Sequence, residues 1–283
     1  MADKRIKFLI AGLSFVFIIL SYALLRRPDE YLRVNFFDIG QGDAAFITTP
    51  QGWQILIDGG PDASVLAKLG EEMQPWDRSI DMVIATHPEA DHIAGLIDVL
   101  KNYEVNYIVE SGLRKETSLS RIWREAVEAE GAKIILADSP KRIVLEEETF
   151  IDLLWPLEEL NGEISSKPNN SAIVAKLYYG DKSFLFTADI ERWAEQNILA
   201  NNINIDADIL KTPHHGSKTS SSELFLRSVS PEAAIISVGR KNKYGHPHEA
   251  IIERFNKMNI PVLRTDKGGD IILETDGKTI FVP

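Results

Sequence analysis

The six histidines of this chain fall in three pairs, at positions 87 and 92, 214 and 215, and 246 and 248. Each pair stands just after an apolar run or at the start of a helix-like segment. That clustering is the strongest constraint in the sequence, because scattered surface or core histidines would not collect at strand exits. The runs read as short strands: YLRVNFFDI, DAAFITT, GWQILID, DMVIAT, VNYIV, AKIILA, AIVAKLYY, KSFLFTA, ADILKT and AAIISV. Gly180-Asp181 predicts a tight hairpin between two of them. Helical spacing appears at Ile93, Leu96, Ile97 and Leu100, and again after Pro247 at Ile251, Ile252, Phe255 and Met258. Ser220 and Glu223 match a capping box for a helix over 220–229. Strands and helices mixed in this way predict a layered α/β domain.

The stretch ATHPEADHIAGL, Ala85 to Leu96, carries the first pair between a strand and a helix. A tight loop there converges His87, Glu89, Asp91 and His92 on a small volume with no basic residue between them. Such groups repel or stay poorly solvated unless a cation binds them. Nitrogen and oxygen donors of this kind suit Zn, Mn or Fe. Cysteine is absent, which excludes thiolate metal sites, disulfides and a cysteine nucleophile.

With these residues in place the resemblance is definite. H-x-E-x-D-H resembles the H-x-H-x-D-H signature of the metallo-β-lactamase superfamily, with glutamate in the second histidine's place. FDIGQGDA (37–44), IDGG (57–60), NNSAIVAKL (169–177), TAD (187–189), LKTPHHGS and SVGRKNKYGHP follow in that family's order. They are most similar to the ComEC-type domain and its stand-alone relatives, over roughly residues 31–283. The resemblance implies a four-layer αββα sandwich holding two divalent ions, Zn or Mn. It assigns His87 and Glu89 to one metal, Asp91 and His92 to the other, Asp189 as the bridge, and His215 as a further ligand. His214 is then a pocket residue, and His246, with His248 behind it, a proton donor to the leaving group. An N-cap role for Asp189 and a helix-start role for the 246–248 segment are the structural alternatives. The family's other first-site histidine has no counterpart, because Asn169, Asn170 and Ser171 occupy that region; the first site is expected to be weak or empty. Asp58 is expected to support a ligating histidine, with Asp43 and Gln41 lining the same pocket, and Ser217 and Lys218 to hold a phosphate oxygen.

The implied activity is hydrolysis by a metal-bridging hydroxide of an anionic phosphodiester, with single-stranded DNA as the leading substrate. The alternatives are another ester (a cell-wall or phospholipid phosphoester, a lactone) or an amide, and a non-catalytic metal- or ligand-binding module. Net charge is −11, which argues against a general affinity for nucleic acid. The segment 205–257 runs slightly basic, which ordinary solvated side chains also explain. Ahead of the hydrolase domain at 28–283, the uncharged stretch Phe8 to Leu25 in segment 1–27, preceded by Lys4, Arg5 and Lys7, predicts a single transmembrane anchor with the catalytic domain outside. Ser21-Tyr22-Ala23 offers the alternative of signal cleavage and secretion.

Overall fold

The computed structural model describes residues 4, 8, 10–17, 31–160, 162–165 and 167–283. One eight-stranded sheet runs β15-β14-β1-β2-β3-β4-β5-β6, with β1 at Leu32–Phe36, β2 at Ala45–Thr48, β3 at Gln54–Ile57, β4 at Ser79–Ala85, β5 at Glu104–Glu110, β6 at Lys133–Leu136, β14 at Ile271–Thr275 and β15 at Ile280–Phe281. The other, seven-stranded, runs β13-β12-β11-β10-β9-β8-β7, with β7 at Lys141–Glu146, β8 at Thr149–Trp155, β9 at Val174–Tyr179, β10 at Lys182–Phe186, β11 at Ile209–Lys211, β12 at Ala233–Ile236 and β13 at Val262–Arg264. Both are mixed. The β3-to-β6 and β10-to-β13 stretches are parallel, and the remaining neighbours pair antiparallel.

Period-two alternation explains the layering. In β1, Leu32, Val34 and Phe36 face the second sheet and meet Ile151, Leu153, Phe184 and Phe186 in a core between the sheets. The alternate residues of β2 and β3, Phe46 and Leu56, face outward and are also apolar, because helices cover that side. There α1 (Ser64–Glu72), α2 (Ala90–Asn102) and α3 (Ser118–Glu130) pack through Leu69, Ile93, Leu96 and Trp123. On the far side of the second sheet α4 (Arg192–Ala200), α5 (Glu223–Val229) and α6 (Glu249–Lys257) pack through Ile198, Phe225, Leu226, Ile251 and Phe255. The result is helix, sheet, sheet, helix, as the motifs implied.

The ten strand-like runs all form strands, and Gly180-Asp181 closes the β9–β10 hairpin with Gly180 at φ 56°. The capping box is displaced, however. Ser222 caps α5 by accepting from the Phe225 N–H, while Ser220 Oγ donates to the Pro213 carbonyl.

The membrane expectation is overturned. Among the described residues no helix is long and apolar enough to cross a membrane. The single-pass anchor and the outward placement derived from it are therefore withdrawn. Residues 18–30, including the expected cleavage site at 21–23, lie outside the described residues.

Candidate metal centre

Six loops meet at the carboxyl ends of β1, β3, β4, β10, β11 and β12, where open α/β sheets place their ligands. Asp58 ends β3 with a left-handed backbone, φ 58°, and its N–H donates to the Ile84 carbonyl. That turn aims its carboxylate at the next loop, where it accepts from Thr86 N (2.9 Å), Thr86 Oγ1 (2.8 Å) and His92 Nδ1 (2.8 Å). Gly42 lets the 38–43 loop lie on the metal loop. At φ 141°, a Cβ there would sit 2.3 Å from the Asp91 carbonyl oxygen. His214 and His215 both adopt left-handed conformations, φ 50° and 53°, a strain of roughly 1–2 kcal/mol per residue. The His214 N–H to Ala188 carbonyl bond of 3.0 Å ties that turn to the Asp189 loop.

Hydrogen bonds fix which ring nitrogens point inward. A carboxylate only accepts, so the Thr86 hydroxyl donates to Asp58 and its oxygen accepts from His87 Nδ1 at 3.0 Å. His92 Nδ1 donates to Asp58, and His215 Nδ1 to the Ser237 carbonyl at 2.9 Å. All three Nε2 atoms are thereby directed at one space. His87 Nε2, His92 Nε2, His215 Nε2 and Asp189 Oδ1 are each buried without a hydrogen-bond partner. Leaving such atoms unmatched costs about 1–3 kcal/mol apiece, so the site is built for a guest.

Asp91, His92, Asp189 and His215 form a set whose ligand atoms all lie within 4.8 Å of one another. His92 Nε2 is 3.4 Å from Asp189 Oδ1, and His215 Nε2 is 3.4 Å from Asp91 Oδ2 and 3.6 Å from Asp189 Oδ1. Bonds of about 2.1 Å to a tetrahedral ion give ligand separations of about 3.4 Å, so these four residues can hold a divalent cation. A second acidic set, Asp43, Asp58 and His92, is of a different kind. It faces the Nδ1 side of His92, whose proton already serves Asp58, and Lys211 Nζ pairs with Asp43 behind it. That set orients imidazoles in the manner of a carboxylate–histidine support.

Electrostatics match the geometry. Burial would raise the Asp189 carboxyl, but His215 and His92 outweigh it and hold it well below its usual range. Burial likewise opposes Lys211 and His215 at Asp43, and those two cations win. His87, by contrast, is pushed down to about 3 by burial and by His92, so its imidazole is neutral. Without a cation, burial lowers His215 and His92 but the carboxylates, Asp189 first, override it. His215 rises to about 10 and His92 well above its ordinary value. A metal must therefore displace protons, and its affinity is expected to climb between pH 6 and 9 by about tenfold per pH unit for each proton released. Competition against a chromophoric chelator across that range measures the slope; a flat profile refutes the displacement.

The remaining expected site residues divide. Glu89 is not in the cluster. Its carboxylate points away to Lys115 Nζ, at 2.6 and 2.7 Å, so only His87 of the expected first pair faces the centre, its ring 4.2 Å from that of His92. His214 stands at the rim, Nε2 3.6 Å from Asp189 Oδ2 and Nδ1 3.5 Å from Glu191 Oε1. His246 lies beside it, ring centroids 5.6 Å apart, with a buried and unpartnered Nδ1. Burial and the neighbouring His215 and His214 lower it to about 4. His248 is exposed and accepts from the Ala250 N–H as the cap of α6, away from the cluster. Asp189 is no helix cap, since Glu191 holds that position for α4.

Ser217 is buried and braces the histidine turn through its N–H to the His214 carbonyl, while Lys218 is exposed. Gln41 Oε1 accepts from Gly239 N–H at 3.4 Å, joining two site loops. Asn170 Oδ1 accepts from Glu191 N–H, and Ser171 follows in the same short turn. Sequence reasoning passed over Thr86, Lys211 and Ser237. Only Lys211, a cation inside the strand-like run ADILKT, left a readable signal.

The comparisons agree with this geometry. The metallo-beta-lactamase superfamily profile matches residues 38–240. The chain is 31% identical over 276 residues to ComE operon protein 3 of Bacillus subtilis, covering 91% of this chain and 34% of that protein. It is 28% identical over 251 residues to Competence protein ComA of Neisseria gonorrhoeae, covering 88% of this chain and 33% of that one. The chain thus spans about a third of the length of these curated relatives. Among solved structures, CmlA, a diiron beta-hydroxylase from Streptomyces venezuelae, superposes with a TM-score of 0.55 at 14% identity, over 88% of this chain and 55% of that one, a likeness of fold. On the profile match, the ordered motifs and the sandwich that gathers their histidines, this chain belongs to the metallo-beta-lactamase superfamily.

Proposed function

We propose that the chain hydrolyses phosphodiesters with a divalent cation held by Asp91, His92, Asp189 and His215. The observation that carries this is the convergence of buried, unpartnered Nε2 and carboxylate atoms on one space. A cation bound there supplies Lewis-acid polarisation of a phosphoryl oxygen and acidifies water toward neutral pH. The protein's own part is orientation. Asp58 and the Ser237 carbonyl lock the two imidazoles, and Lys211 locks Asp43. His87, with an unpartnered Nε2 beside the His92 ring, offers a second, weaker position for a metal. At the rim His246 is neutral above about pH 4, so it donates a hydrogen bond to the leaving oxygen but holds no spare proton. His214, between Asp189 and Glu191, stands at the same rim. DNA as the polymer is supported by a relative named for competence, Competence protein ComA.

The purified chain, loaded with Mn or Zn, is expected to retain at least one equivalent of metal and to cleave bis-p-nitrophenyl phosphate, with activity lost to a chelator. Failure to take up a transition metal under any loading condition refutes the hydrolase. Metal uptake without ester cleavage would replace it by a binding module.

A further inference from the structure

A second surface adjoins the metal loop. A groove of about 450 Å³ lies between the turn at Arg114–Lys115 and the start of α3, lined by Arg114, Lys115, Arg121, Arg124 and Ile164. The chain pairing Arg114 N–H with the Glu163 carbonyl (2.7 Å) and Ser165 N–H with the Arg114 carbonyl (3.0 Å) fixes its wall. Arg121 and Arg124 sit one turn apart on α3.

The three arginines are exposed, and among the described residues none has an ion-pair partner. Arg33, Arg142, Arg227 and Arg264 pair with carboxylates, and among the described residues other arginines such as Arg78, Arg240 and Arg254 also lack an ion pair; what sets Arg114, Arg121 and Arg124 apart is that they share one groove. Unneutralised arginines gathered in one groove of an acidic protein mark a place kept for an anion from outside. Guanidinium groups offer two parallel donors to phosphate, a geometry lysine lacks.

Position supplies the second argument. Lys115 in the groove holds Glu89, and Glu89 lies between His87 and Asp91 on the metal loop. The ammonium cancels the Glu89 carboxylate, which would otherwise repel a phosphate passing from groove to centre. Glu116 is the remaining acid of the lining. We infer that this groove carries the phosphate backbone of a single strand of nucleic acid on one side of the scissile phosphodiester. A flexible strand can bend from the arginines into the histidine pocket, whereas a duplex is stiff over about 150 base pairs. The contacts are to phosphates and so carry no base sequence. This rests on the phosphodiesterase reading and deepens it, placing the polymer's grip where the whole-chain charge gave no sign of one.

The test is fluorescence anisotropy of a labelled 20-mer oligothymidylate with the full chain in chelator, so that binding is read without hydrolysis. Arg114→Gln/Arg121→Gln/Arg124→Gln is expected to weaken binding at least tenfold. It should also flatten the slope of log affinity against log salt by about 2, since each phosphate contact on a single strand contributes about 0.7. Arg114→Lys/Arg121→Lys/Arg124→Lys keeps the charge and is expected to lie between wild type and the glutamine variant. An unchanged melting temperature and metal content show that the glutamine variant is folded. No binding by wild type, equal binding by the glutamine variant, or equal displacement of the oligonucleotide by polyglutamate overturns the groove. Cleavage of bis-p-nitrophenyl phosphate by wild type is scored separately. Binding lost in the variant with no cleavage by wild type keeps the groove and sinks the phosphodiesterase.

Discussion

Asp189→Ala is expected to empty the centre and stop hydrolysis in one step. Asp189 is the carboxylate that touches three imidazoles, with Oδ1 at 3.4 Å from His92 Nε2 and 3.6 Å from His215 Nε2, and Oδ2 at 3.6 Å from His214 Nε2. Without it the cation loses an anionic ligand and the positive charge of the site goes uncompensated. Metal content should fall below about a tenth of wild type and the rate by on the order of 10³-fold, the upper end of the 10² to 10³ typical of one lost transition-state contact. Asp189→Asn, similar in shape but uncharged, should fail equally. The residue caps no helix and lies outside β10, so melting in chelator should fall only by what buried His92 and His215 lose with their counter-charge. Elemental analysis beside a diester assay decides the matter. A variant that keeps both metal and rate removes Asp189 from the centre.

Gly95→Ala carries the largest expected cost in stability. In an exposed helix interior alanine would be better than glycine by about 1 kcal/mol. Here the sign reverses. A Cβ at Gly95 would stand 1.9 Å from the Gly59 carbonyl oxygen and 2.5 Å from that of Asp62, both rigid backbone. The same strip is stitched by Gly59 N–H to the His92 carbonyl at 2.8 Å and Gly95 N–H to the Gly60 carbonyl at 3.0 Å. Prising α2 from the Ile57–Gly60 turn is expected to cost about 3 kcal/mol, the upper end for overpacking. It would also draw Asp58 away from His92 and Thr86, and loss of such support typically weakens metal binding by about 10- to 100-fold. The urea midpoint reads the first effect and chelator competition the second. An unshifted midpoint would show that the turn yields.

How much of this was written locally in the sequence depends on where each partner lies. Buried strands announced themselves because sheets covered on both faces need unbroken apolar runs, as in DMVIAT and KSFLFTA. Strand β7, KRIVLE, went unread because charges flank its apolar centre and it is an edge, and β8 because Asp152 interrupts the run TFIDLLW. Helix α3 went unread although Leu119, Trp123, Ala126 and Val127 stand at helical spacing and pack against the core. At the centre, His92, Asp91, Asp189 and His215 were legible from motif order. Glu89 misled for a physical reason. Its neighbours His87 and Asp91 face the centre, but its partner, Lys115, is 26 positions away and carries no local signature. His248 misled in the same manner, since a helix cap and a catalytic histidine look alike until the first turn of α6 is in place.

The centre draws Asp91 and His92 from the loop after β4 of one sheet, and Asp189 and His215 from the loops after β10 and β11 of the other. A cation bound there is a rivet through the two halves of the sandwich. No fragment ending before residue 215 holds all four ligands, so a chain emerging from the ribosome cannot load metal until most of the second sheet exists. Metal uptake in this protein thus reports that the two halves have met.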